Sequence, residues 1–157
     1  MSVGMPSKIR SNQHGFTIIE LVVVIVIIGI LGAFFYSTHA SFERTARNNE
    51  RRRDIDDLYQ QLEAYNVEHS QYPTLADMNN ASWVKTNMKT LNRESLRDPS
   101  STSYALVARP EKDAYAYQVS GANGAGCNDT TTPCEHYTLT ATLENSAQKT
   151  YVKSSLN

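Results

Sequence analysis

Between Phe16 and Phe35 the chain is almost unbroken aliphatic and aromatic residues, with Glu20 as the one charge and no proline. As a helix this run extends roughly 30 Å, about the thickness of a bilayer's hydrocarbon core. The Ile/Val-rich stretch Val22 to Ile28 favours strand in water, but in lipid a lone segment satisfies its backbone only as a helix. After Tyr36 the pattern changes. From Ser37 to about His69 there is neither Gly nor Pro, and Ile55, Leu58, Leu62 and Tyr65 recur at i, i+3, i+7 and i+10 opposite a charged face. That spacing predicts one long helix, its first half apolar all round and its second half amphipathic.

Tyr72-Pro73 breaks the helix, since the residue before proline avoids helical angles. Residues 81–97 predict a short amphipathic helix with Val84, Met88 and Leu91 on its inner side. On that helix Lys85, Lys89, Arg93 and Arg97 recur every fourth residue as a basic stripe. Its plain reading is a solvated face, and its sharper one a site for DNA or an anionic surface. Asp98-Pro99-Ser100-Ser101 reads as a turn. Strands are expected at 104–108 and 115–119, joined hairpin-fashion through 109–113, and most clearly at 136–143. There Tyr137, Leu139, Ala141 and Leu143 alternate with threonines, so one face meets a core. The expected core is this sheet against the stripe from Ile55 to Tyr65, with Tyr104, Tyr115, Tyr117 and Tyr137 packed inside it.

The 157 residues leave room for one modest domain, and a net charge of -1 argues against a general polyanion binder. A cleavable secretory signal ending at Thr38-His39-Ala40 is the competing reading of the apolar run, which is too long for it. The two cysteines, Cys127 and Cys134, flank a polar loop, lie in no CxxC and read as one disulfide in an oxidising compartment. Asp113, Asn123 and Asp129 follow no calcium-loop spacing, and neither metal nor cofactor is expected. His14, His39, His69 and His136 are dispersed, with no nucleophile and base in sequence reach, so the chain reads as no enzyme. Arg44, Arg47, Arg51, Arg52 and Arg53 sit among Glu43, Glu50, Asp54, Asp56 and Asp57. Two readings of this run stand: a solvated helix face with local ion pairs, or contacts between subunits. A positive-inside count alone would keep the polar domain cytoplasmic, whereas the cysteine pair requires export.

The sextet Gly15-Phe16-Thr17-Ile18-Ile19-Glu20, followed by Leu21-Val22-Val23-Val24-Ile25, resembles the prepilin cleavage and assembly motif of type IV pilins and type II secretion pseudopilins. The segment Gln71-Tyr72-Pro73-Thr74-Leu75 after a helix is similar to the start of the globular domain in many of them. The resemblance implies a leader, 1–15, removed by prepilin peptidase between Gly15 and Phe16, with N-methylation of Phe16. It implies a transmembrane and assembly helix at 16–36, its soluble continuation at 37–69, and a globular region at 70–157. The fold class it implies is α+β, the pilin fold, in which the N-terminal helix packs on a small antiparallel sheet. Glu20 would pair with the terminal amine of a neighbouring subunit and set register. Many pilins have a proline soon after the apolar run, and Ser37 to Ala46 has none. Gly29 and Gly32 fit close helix packing or local loosening.

By the same resemblance the precursor is a single-pass protein of the bacterial inner membrane with its C-terminal domain exported. It engages an assembly platform there, then self-associates into a helical filament at the cell surface, in roles such as adhesion or twitching motility. The alternatives are a secretion pseudopilin and a minor pilin that presents a DNA- or surface-binding module.

Overall fold

The computed structural model describes residues 15–128 and 130–156, and the side chains of all of these except 35–40. The expected leader, up to residue 14, and the calcium candidate Asp129 lie outside the described residues. The chain divides into two compact units, 1–40 and 41–157. The architecture is α+β, as the pattern predicts. Helix α1 runs Ile18–His69, α2 Leu75–Met78 and α3 Ala81–Asn87, followed by a 3-10 turn at Arg93–Leu96. Strands β1 (Tyr115–Ser120), β2 (His136–Thr142) and β3 (Thr150–Ser154) form one antiparallel sheet in the order β1-β2-β3. Its register places Tyr117 opposite Leu139 and Thr140 opposite Val152.

The inward stripe of α1 is the spine of the second unit. Ile55, Leu58 and Leu62 are completely buried, against Tyr72, Tyr115, Tyr117, Tyr137 and Leu139. Each such aliphatic side chain taken out of water contributes about 1.5–3 kcal/mol. Ser70 adopts a left-handed angle (φ 57°) and ends α1, after which the backbone N–H of Tyr72 donates to the carbonyl of Cys134 at 2.8 Å. The helix exit is thereby tied to the start of β2.

Two expectations need correction. The predicted strand at 104–108 is absent; only Val107 bridges to β1, opposite Ala116, and in parallel sense. Its neighbour Leu106 has both backbone groups taken by the side chain of Asn79, which accepts from Leu106 N at 2.8 Å and donates to Leu106 O at 2.9 Å. A side-chain amide thus replaces a strand partner, and no hairpin forms through 109–113. The predicted helix at 81–97 stops at Asn87, because Met88 leaves helical angles (φ -122°, ψ 60°). Asn92 then caps a separate 3-10 turn by accepting from Glu94 N. The expected inner side nevertheless holds, with Val84 and Met88 buried and Leu91 packed against the core.

The β1–β2 connection holds the Cys127–Cys134 disulfide, with Cα atoms 5.1 Å apart. Gly121 is needed for the loop's return: a Cβ there would lie 3.1 Å from the carbonyl oxygen of Pro133. Gly124 takes a positive φ of 75° that few other residues adopt readily.

Candidate functional site

The apolar half of α1 begins with a local signal. Thr17 precedes the first helical residue, and its hydroxyl accepts from the backbone N–H of Glu20 at 3.3 Å, satisfying one of the unpaired donors of the first turn. The same hydroxyl faces a Glu20 carboxylate oxygen at 3.5 Å, and Leu21 N donates to Thr17 O. The Thr-x-x-Glu spacing is that of a capping box, but the carboxylate accepts from the threonine hydroxyl rather than from its backbone N–H. The negative charge sits beside the positive end of the helix dipole, where it is favoured.

From Leu21 to Phe34 the helix surface carries no polar side chain. Ile18 is 86% exposed, Ile30 66% and Phe34 77%, and every large aliphatic between them is uncovered. A Cβ built on Gly29 or Gly32 meets nothing within 4 Å, so both glycines leave flat ground on the helix. Among the described side chains no helix is long and apolar enough to cross a membrane; the apolar run passes from Phe34 into residues 35–40, whose side chains lie outside that set. An aliphatic surface of this extent requires a partner, either lipid or other helices. Gly15 and Phe16 lie immediately before the helix, both exposed. Gly15, Phe16 and Glu20 thus sit together at the head of this surface.

The second unit holds a charged cluster that sequence reasoning missed. Arg51 is fully buried. Its guanidinium binds Asp98 through Nε at 2.6 Å and Nη2 at 3.0 Å, and it reaches Glu144 through Nη1 at 2.7 Å and the Ser100 hydroxyl at 3.0 Å. Arg47 adds a two-pronged pair to Glu144, at 2.8 and 2.6 Å. Burial opposes the charge on Arg51, but hydrogen bonds and attraction from Asp98 and Glu144 prevail and raise its pKa. A signal was present: Arg51 lies four residues before Ile55, on the same stripe as Leu58 and Leu62, so it points inward. Of the arginine run, Arg51 is therefore withdrawn from solvent altogether, whereas Arg47 stays partly exposed and pairs with Glu144 and, locally, with Glu43 at 3.9 Å.

A second set of contacts joins helix carboxylates to sheet tyrosines. Tyr115 donates to Asp54 at 2.6 Å, Tyr137 to Glu63 at 2.8 Å and Tyr151 to Asp56 at 2.9 Å. Burial raises the pKa of Asp54 to about 6, against the Tyr115 hydrogen bond and with help from Glu50 and Asp57. Glu144 is lowered to about 2, chiefly by hydrogen bonding to Arg47, with Arg51 adding to it.

The two shifts act in opposite directions on stability. A raised carboxyl pKa means the folded state holds the proton more tightly, so Asp54 costs stability as pH rises from 3.8 towards 6. A lowered one means Glu144 contributes stability above 4.5 that is lost as pH falls towards 2. Thermal unfolding of the full chain is expected to peak between about pH 4 and 5. Asp54→Asn should flatten the decline above the peak and Glu144→Gln the decline below it. A profile unchanged by both substitutions would refute the assignment.

The four basic residues expected on one stripe are dispersed. Lys85 lies on α3, Lys89 beyond its end, and Arg93 and Arg97 on and after the 3-10 turn. Arg93 and Arg97 both stand over the ring of Tyr104, at 4.5 and 5.5 Å, and Arg97 pairs with Glu94 at 2.7 Å. Tyr104 is accordingly half-buried beside cations, while Tyr115, Tyr117 and Tyr137 are in the core as expected.

Residues 10–36 match the family described as the prokaryotic N-terminal methylation motif. The type II secretion system core protein G of Escherichia coli (strain K12) is 30% identical over 126 residues, 74% of this chain and 87% of that protein. Its counterpart from Dickeya chrysanthemi is 37% identical over 63 residues, 40% of this chain and 41% of that protein. The type IV major pilin protein PilA of Myxococcus xanthus (strain DK1622) is 30% identical over 71 residues, 45% of this chain and 32% of that protein. No solved structure matches at the same stringency.

Proposed function

Because the chain belongs to the type IV pilin and type II secretion pseudopilin family, we propose that it is a structural subunit of a type IV pilus filament, assembled through its apolar N-terminal helix. The observation that carries this reading is the head of α1: an aliphatic surface with nothing covering it, one carboxylate at its first turn, and Gly15-Phe16 directly before it. Prepilin peptidase cuts after Gly15 and methylates Phe16. Residues 16–36 hold the precursor in the inner membrane, with the second unit exported and its disulfide closed. At the assembly platform the helices leave lipid and bundle, and the Glu20 carboxylate meets the Phe16 amine of a neighbour. The chain performs no catalysis on this reading.

A second reading, a type II secretion pseudopilin, is favoured by a different observation. The alignment to the Escherichia coli core protein G extends over 74% of this chain, whereas that to the Myxococcus xanthus pilin covers 45%. The two readings share processing and assembly and differ in where the filament ends. The minor-pilin reading draws little support from a basic stripe that two of its members leave for Tyr104 and Glu94.

Intact mass and N-terminal sequencing of material from native membranes and sheared surface fractions test the proposal. The expected species starts at Phe16, carries one added methyl and lacks two hydrogens at the cysteines. A chain starting at Ser41, or an uncut chain with free thiols, overturns it. Recovery in abundant sheared filaments selects the pilus; retention in the envelope, with loss of protein secretion on deletion, selects the pseudopilin.

A further inference from the structure

A groove of about 590 Å³ lies between α3, the 3-10 turn and the segment 103–105. Its floor is apolar: Met78, Val84, Met88 and Leu96 are buried side chains of the core, and Leu91 packs beside them. Its rim holds Lys85, Lys89 and Arg93, and no carboxylate lines it. Among the described residues neither Lys85 nor Lys89 forms an ion pair, and both are exposed. Two further clefts of the second unit each contain a glutamate, Glu144 or Glu68, whereas the charged residues lining this groove are all basic.

We propose that this groove binds an acidic peptide segment of a partner protein, seating a large apolar side chain on the floor and carboxylates against Lys85 and Lys89. The occupant follows from charge and shape together. Lysines are compact point charges suited to carboxylates on a mobile chain, and an apolar floor adds nothing for a purely polar anion. Single-stranded nucleic acid fits poorly, since it requires an open aromatic face for base stacking. Tyr104 is the only aromatic ring in the lining, and Arg93 and Arg97 stand over it. The proposal is independent of whether the filament is a pilus or a secretion pseudopilus.

The test uses the full chain in nanodiscs of zwitterionic lipid and a fluorescent peptide in which glutamate alternates with leucine and phenylalanine. Saturable binding is expected, weakened on the order of ten-fold by Lys85→Glu with Lys89→Glu, a loss scaled from exposed ion pairs. Ala105→Trp, which fills the groove from an exposed position, should weaken it comparably. Unchanged melting temperatures would show that both variants keep the fold. A version of the peptide with serine in place of leucine and phenylalanine should bind poorly. Four results would overturn the proposal: no saturable binding, binding indifferent to both variants, equal binding of the serine peptide, or equal binding of a single-stranded oligonucleotide. Self-association of the chain that vanishes in both variants, without peptide binding, would assign the groove to a second copy and overturn it too.

Discussion

Arg51→Ala is expected to destabilise the protein by about 3–5 kcal/mol, the usual cost of removing one partner from a buried pair. The reason is what remains. Asp98 is 1% exposed at its side chain and would keep its carboxylate with no cation beside it, holding only neutral donors such as the Ser100 backbone N–H at 2.8 Å. Glu144 would fare better, because Arg47 still holds it and water reaches it. Asp98→Asn should cost less than Arg51→Ala, since Glu144 continues to neutralise the arginine. Urea unfolding of the full chain, with the double variant completing a cycle, measures the coupling. A loss below about 1 kcal/mol for Arg51→Ala would place this pair with surface ion pairs and contradict its burial.

Glu20→Ala is expected to leave processing and the second unit's melting temperature intact while cutting filament yield ten-fold or more. The substitution makes the N-terminal helix more apolar, so failure to enter the membrane cannot explain a loss. A buried charge inside a membrane helix costs on the order of 2.5–3.5 kcal/mol, and that cost has to be offset by a partner. In the isolated subunit the carboxylate has the Thr17 hydroxyl and the helix dipole, which are weak partners. A hydrogen bond to a charged amine is worth about 1.5–3 kcal/mol, and its loss repeats at every subunit of a filament. Glu20→Asp should recover part of the yield. Thr17→Ala, which removes only the local partner, should cost about 1 kcal/mol of helix-start stability and still permit assembly. Normal filaments from Glu20→Ala would end the register hypothesis.

The long helix and the central strand were legible because their periodicities are undiluted. Ile55, Leu58 and Leu62 mark a helix face, and the Tyr137–Leu143 alternation marks β2, although Thr140 on its other face is buried as well. Strand β3 escaped notice because it offers only Tyr151 and Val152 as apolar residues, and Val152 is 46% exposed at the sheet's edge. The basic stripe was misread because spacing by four assumes an unbroken helix, and the cap made by Asn92 cannot be told in sequence from an interior asparagine. The segment at 104–108 has the composition of a strand, yet Asn79, far upstream, takes its hydrogen bonds. Such side-chain competition is invisible to a local pattern. Of the site, Gly15, Phe16 and Glu20 were legible from a short motif, whereas Arg51 was obscured by its four neighbouring arginines.

The three tyrosine contacts, one from each strand, reach α1 at Asp54, Asp56 and Glu63. Apolar packing resists separation of a sheet from a helix but opposes sliding only weakly, because aliphatic surfaces have no preferred direction. Hydrogen bonds are directional and do oppose it. A pull along this part of α1 therefore loads the three contacts in parallel, as shear, and no strand can creep along the helix before its own tyrosine lets go. The domain would follow its helix under traction as a keyed collar follows a shaft.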